Sequence, residues 1–119
     1  MTQHKIDSLF IAEATGFGAG LENVIIRHMV DGKSFGASYG TDDAYTFAEH
    51  NVLYNAALRG LSTSGATMYV ARHLEENAIP SISKAGITRV VCLEPNCTDE
   101  TVRLLETYGI SLTIHKDNK

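Results

Sequence analysis

Three short runs rich in β-branched residues, "ATMYVAR" (66–72), "ITRVVCLE" (87–94) and "ISLTIHK" (110–116), are separated by two stretches with helical signals, "HLEENAIPSISKAG" and "TDETVRLLETYG". That alternation constrains the fold more than any other feature. A strand joined to the next by a helix-length crossover runs parallel to it, and the crossover helix must cover the sheet. Pro80 falls within the first turns of its helix, where a missing N–H matters least, and Gly86 supplies the stop. Acidic residues in the first turn of the last helix suit the positive end of its dipole, and Asn96 and Thr98 are turn and cap residues before it.

The first half reads differently. "HKIDSLFIAEA" places Ile6, Leu9, Phe10 and Ala14 near helical spacing and ends at the Gly-rich "TGFGAG". "LENVIIRHMVDGKSFGASYG" reads as an antiparallel hairpin turning at Asp31-Gly32. Thr41, Asp42 and Asp43 are N-cap candidates for a helix over 44–60 that Gly60 terminates. The predicted order is α-β-β-α-β-α-β-α-β: a three-layer α-β-α fold of the α/β class, with a mixed five-stranded sheet and helices on both faces. At 119 residues, 44% of them hydrophobic, the expectation is a single domain over 1–119, with 116–119 as a frayed tail.

A net charge of −4 leaves no basic excess to follow a phosphate backbone, which argues against duplex nucleic acid as a partner. A local pocket for one phosphate stays compatible with it. No signal-peptide pattern and no apolar run of membrane-spanning length is visible, so the expected setting is the cytoplasm, away from membranes. The two cysteines, Cys92 and Cys97, are too few for a secreted disulfide framework and lack two further zinc ligands nearby. They read as a half-buried thiol and a loop thiol.

"GATMYV", "KAGITRVV" and "LLETYGISLTI", in that element order, resemble the cytidine and deoxycytidylate deaminase family from about Val24 to Ile114. The resemblance implies the three-layer fold, a zinc-dependent hydrolytic deamination and assembly into dimers or larger homo-oligomers. The family signature is H-x-E followed later by P-C-x-x-C, in which one His and two Cys hold zinc and the Glu shuttles protons. In "FAEHN" Glu49 matches the shuttle and Asn51 an Asn common just after it, but Phe47 stands at the His position. In "LEENA" Leu74 replaces the Pro, Glu75 the first Cys and Ala78 the second. All three zinc-ligand positions are therefore degenerate, and no metal or other cofactor is expected. "EPNC" looks like the second half of the signature but follows the wrong strand and has no second Cys at the required spacing.

The chemical consequence is large, because bound zinc lowers the pKa of its water from about 15.7 to about 7. A carboxylate alone, with an ordinary pKa near 4.3, is too weak a base to substitute for that activation. Phe47 would also fill with hydrocarbon the space of an imidazole and metal. A rebuilt site from Glu49, His73 and Glu75 is the competing reading; His50, about 100° around the helix from Glu49, faces elsewhere. His73 and Glu75 read otherwise as loop, cap and dipole-favoured residues.

The expected substrate pocket departs from the family as well. Many deoxycytidylate deaminases carry a G-Y-N-G-T-like stretch; "ASYGT" keeps Gly40 and Thr41 but has Tyr39 at the Asn position, where it either stacks on a base or plugs the pocket. Asn51 and Asn55, four residues apart on one helix face, bind ribose or tie down neighbouring loops. The function expected is a non-catalytic deaminase-fold protein that binds a nucleotide or other small molecule, or serves as a regulatory or assembly subunit, alone or beside an active deaminase relative. The alternative is a divergent cytidine or deoxycytidylate deaminase with a rebuilt metal site.

Overall fold

The computed structural model describes residues 2–16, 23–30, 33–41, 43, 45–71, 74–93 and 97–116. The elements are α1 (Gln3–Gly16), β1 (Asn23–Val30), β2 (Lys33–Thr41), α2 (Ala48–Leu58), β3 (Thr67–Val70), a 3-10 turn (Glu76–Ala78), α3 (Ile79–Lys84), β4 (Arg89–Leu93), α4 (Asp99–Thr107) and β5 (Ser111–His115). The order is the one the sequence predicts. The five strands form one sheet in the order β2-β1-β3-β4-β5. β1 pairs antiparallel with both β2 and β3, whereas β3, β4 and β5 run parallel, as helical crossovers require. Asp31-Gly32 and the tail over 117–119 lie outside the described residues.

Strand alternation sorts the core into two layers. Met68, Val70 and Val90 face one side, where Ala48 and Val52 of α2, Ile79 and Ile82 of α3 and Leu105 of α4 pack on them. Tyr69 and Val91 face the other side, against Phe10, Ile11 and Ala14 of α1. Burial of these aliphatic and aromatic side chains supplies the main stabilisation, about 1.5–3 kcal/mol for each fully buried large residue.

Two boundaries differ from expectation. α2 starts at Ala48, with Phe47 at the N-cap making no side-chain cap bond, instead of at 44. Asp43 is occupied elsewhere: Oδ1 accepts from the N–H groups of Tyr45 (2.9 Å) and Thr46 (2.8 Å), forming a turn ahead of the helix. Those bonds, led by the one from Tyr45, hold its carboxyl below the usual range. The helical stretch after β3 is likewise shortened to the 3-10 turn and α3, with Pro80 at the second position of α3. The remaining end signals act as read. Gly60 and Gly86 adopt left-handed φ of 69° and 86°, and Thr98 Oγ1 accepts from Thr101 N–H to cap α4.

Close contact between β2 and α2 positions the site. A Cβ at Gly40 would lie 2.5 Å from the Val52 nitrogen and 2.7 Å from the Ala48 carbonyl oxygen, so only glycine lets α2 come this near. Ser38 Oγ, two residues earlier on the same face, donates to the Val52 carbonyl at 2.9 Å. Together they set the first turn of α2 against the sheet.

Candidate functional site

Glu49, the second residue of α2, is 0% exposed. Its Oε2 accepts a hydrogen bond of 2.6 Å from the backbone N–H of Glu75, which precedes the 3-10 turn. The carboxylate thus ties the start of α2 to the chain as it leaves β3. Leu74 and Ala78, on either side, are both buried in the core with α2 and α3. An acceptor at a buried N–H is worth more than its net hydrogen-bond energy, since leaving that N–H unmet costs about 1–3 kcal/mol.

No protein-family model matches the sequence, and comparison with curated proteins finds no match. Solved structures do match. The deoxycytidylate (dCMP) deaminase of cyanophage S-TIM5, in complex with dCMP and dUMP, superposes with a TM-score of 0.71 at 15% identity, over 96% of this chain and 98% of that one. The chain has the cytidine deaminase-like fold. The Aspergillus oryzae Rib2 deaminase aligns with a TM-score of 0.65 at 16% identity, over 93% of this chain and 84% of that one. A diaminohydroxyphosphoribosylaminopyrimidine deaminase/5-amino-6-(5-phosphoribosylamino)uracil reductase from Thermotoga maritima reaches a TM-score of 0.72 at 19% identity, over 96% of this chain but 37% of that one.

Within this deaminase-like fold the sequence-derived residues separate. Glu49 and Glu75, from motifs 26 positions apart, come together, joined through the Glu75 main chain. His73 lies outside the described residues. Phe47, expected to fill the metal space, remains 42% exposed and belongs to neither core cluster, so it stands at the rim and is no buried plug. Tyr39 packs with the α1-side cluster, on the opposite face of the sheet from α2. The one-residue alternation of β2 explains this: Ser38 and Gly40 face α2, which turns the ring of Tyr39 away from Glu49.

Asn51 and Asn55 tie down backbone. Asn51 Nδ2 donates to the Thr41 carbonyl (2.8 Å) and to Asp43 Oδ2 (3.1 Å), so both of its amide hydrogens have acceptors in the segment leading into α2. Asn55 Nδ2 donates to the Tyr39 carbonyl at 2.7 Å. His50 turns towards α3, with Nε2 3.2 Å from Ser81 Oγ. A groove of about 380 Å³ runs beside these residues along β2 and α2, lined by Ser38, Tyr39, Gly40, Thr41, Asn55, Leu58 and Arg59.

Two further groupings escape the sequence reading. Cys92 and Cys97 are paired as a disulfide, correcting their reading as separate thiols. Cys92 points inward at the end of β4, and the chain returns just before the Thr98 cap with the two Cα atoms 6.4 Å apart, within disulfide reach. On the α1 face, Asp7 is 2% exposed and accepts from Tyr69 Oη (2.9 Å), Gln3 Nε2 (3.0 Å) and both terminal nitrogens of Arg89. Burial pushes the Asp7 carboxyl up, but the bonds from Arg89, Gln3 and Tyr69 outweigh it and leave the carboxyl below its usual range. Burial, then the bond to Asp7, raises the Tyr69 phenol, and Asp7 raises the Arg89 guanidinium. The available sequence signal was a charged residue at an inward position in each of α1 and β4.

Proposed function

We propose that this chain is a deaminase-fold protein without zinc-dependent hydrolysis, acting by binding a nucleotide or related small molecule or as a regulatory or assembly subunit. The observation that carries this reading is the donor set around Glu49. The phenyl ring of Phe47 and the methyl group of Ala78 have no lone pair for a metal, and Glu75 approaches Glu49 through its N–H. Among the described residues no group of three or more His, Cys, Asp or Glu is placed to hold a metal ion. These residues do not fit the His-Cys-Cys zinc centre of such deaminases, which prefers nitrogen and thiolate ligands. Glu49 is also closed to solvent, so it serves in this reading as a strut between α2 and the segment after β3.

Self-association is part of the proposal. Phe47, Tyr54 and Leu58 share the outer side of α2, spaced by seven and four residues, and all are exposed, with Tyr45 beside them on the preceding turn. An exposed apolar and aromatic stripe of this kind marks an interaction face, here for a second copy of the chain. Neither duplex nucleic acid nor a membrane belongs to the proposal; among the described residues no helix is long and apolar enough to cross a membrane.

The second reading, a divergent deaminase with a rebuilt metal site, draws on the adjacency of Glu49 and Glu75 and on His73 two residues before Glu75. Elemental analysis of purified protein, combined with an ammonia-release assay on cytidine, deoxycytidine and their monophosphates, separates the two. Absence of bound metal and of ammonia is expected; stoichiometric metal with ammonia release would establish the enzyme. A thermal-shift screen over nucleotides then tests the binding role, because a ligand of the native state raises apparent stability.

A further inference from the structure

The opposite face of the sheet carries a second polar site, independent of Glu49. α1 packs over β1, β3 and β4 and reaches the edge strand β5 through His4 and Ser8 of its first turns. Where its first turns meet the β4–β5 edge, a cleft of about 430 Å³ opens, lined by Gln3, His4, Asp7, Arg89, Thr113, Ile114, His115 and Lys116. The rings of His4 and His115 stack with centroids 5.0 Å apart and planes 27° from parallel. Ser8 Oγ lies 3.3 Å from His115 Nε2, so the buried member of the pair is held in place by α1.

Arg89 is held equally firmly. Its Nε donates to Thr113 Oγ1 at 3.2 Å, and one N–H from each terminal nitrogen goes to Asp7. Three of the five N–H groups of the guanidinium are used in these bonds, and the Tyr69 hydroxyl lies within hydrogen-bonding reach of the group as well. The cleft combines a guanidinium held by Asp7 and Thr113, an exposed ammonium at Lys116 and two imidazoles, against one carboxylate, Asp7, among its described lining residues. That is a positive balance on a chain whose net charge is −4. The cleft's polar side chains come from α1, β4, β5 and the residue after β5, and charge-assisted bonds from such separate elements suit a tetrahedral oxyanion.

We propose that this cleft binds a phosphate group, either as the free ion or as the phosphoryl end of a phosphomonoester. The test is an NMR titration of the intact chain with inorganic phosphate at constant ionic strength, following the ring resonances of His4 and His115. Saturable shifts are expected with a dissociation constant on the order of 1 mM, as befits a few charge-assisted contacts at an open site. Lys116→Gln and His4→Gln, both at exposed positions away from the core, should each weaken binding by about two- to fivefold while leaving the thermal unfolding profile in place. Shifts that do not saturate, or that chloride at equal ionic strength reproduces, would overturn the proposal. A nucleoside monophosphate distinguishes the sources. Competition with phosphate at the same rings assigns the site to a phosphomonoester, and retained phosphate binding without competition assigns it to the free ion. Phosphate shifts confined to residues of the α2 face would overturn it.

Discussion

Glu49 Oε2 and the backbone N–H of Glu75 lie 2.6 Å apart and join two segments that the chain separates by 26 residues. Glu49→Ala removes the acceptor and leaves the Glu75 N–H unmet beside a new cavity, so a loss of about 2–4 kcal/mol is expected in urea denaturation. Glu49→Gln keeps an amide oxygen there and should lose about 1 kcal/mol. An alanine variant as stable as the parent would remove the structural role assigned to this carboxylate.

Gly40 is tested by its smallest replacement. The added methyl of Gly40→Ala would overlap the Val52 nitrogen and the Ala48 carbonyl, both backbone atoms that cannot rotate aside. α2 must shift off β2, at a cost of about 1–3 kcal/mol or more, which a shift in the denaturation midpoint would reveal.

The Asp7–Arg89 pair gives a prediction in both mutation and pH. Arg89→Met strands a buried carboxylate and should destabilise by about 3 kcal/mol, whereas Asp7→Leu combined with Arg89→Met should lose less than the sum of the single changes. Because the Asp7 carboxyl is lowered on folding, its contribution is present above the unfolded value near about 3.9 and is lost as pH falls through the folded one. Stability measured from neutral to acid pH should fall less steeply below about pH 4 in Asp7→Asn than in the parent.

Asn51 holds the segment over 41–46 through the Thr41 carbonyl and Asp43. Asn51→Ala should speed amide exchange at Tyr45 and Thr46, whose N–H groups rest on Asp43, while exchange within β3 and β4 stays unchanged. Equal acceleration throughout would indicate global destabilisation instead.

If the outer stripe of α2 mediates self-association, Leu58→Glu should shift light-scattering mass towards the monomer without lowering thermal stability of the isolated subunit, since Leu58 is 85% exposed. An unchanged mass at matched concentration would place the interface elsewhere.

The sequence by itself determined the order of elements and the parallel sense of β3, β4 and β5, because strand propensity, helix-length spacing and glycine stops such as Gly60 and Gly86 are local signals. It also singled out Glu49 and Glu75, through resemblance to a two-part motif. Only the tertiary structure decided what those residues touch. A glutamate reads the same whether it faces water or an N–H from another segment, and Tyr39 reads as a pocket residue until the pleat of β2 turns its ring towards α1. The Asp7–Arg89–Tyr69 network and the Cys92–Cys97 pair were invisible for the same reason: partners separated along the chain become neighbours only once sheet register and helix packing set the distances between them.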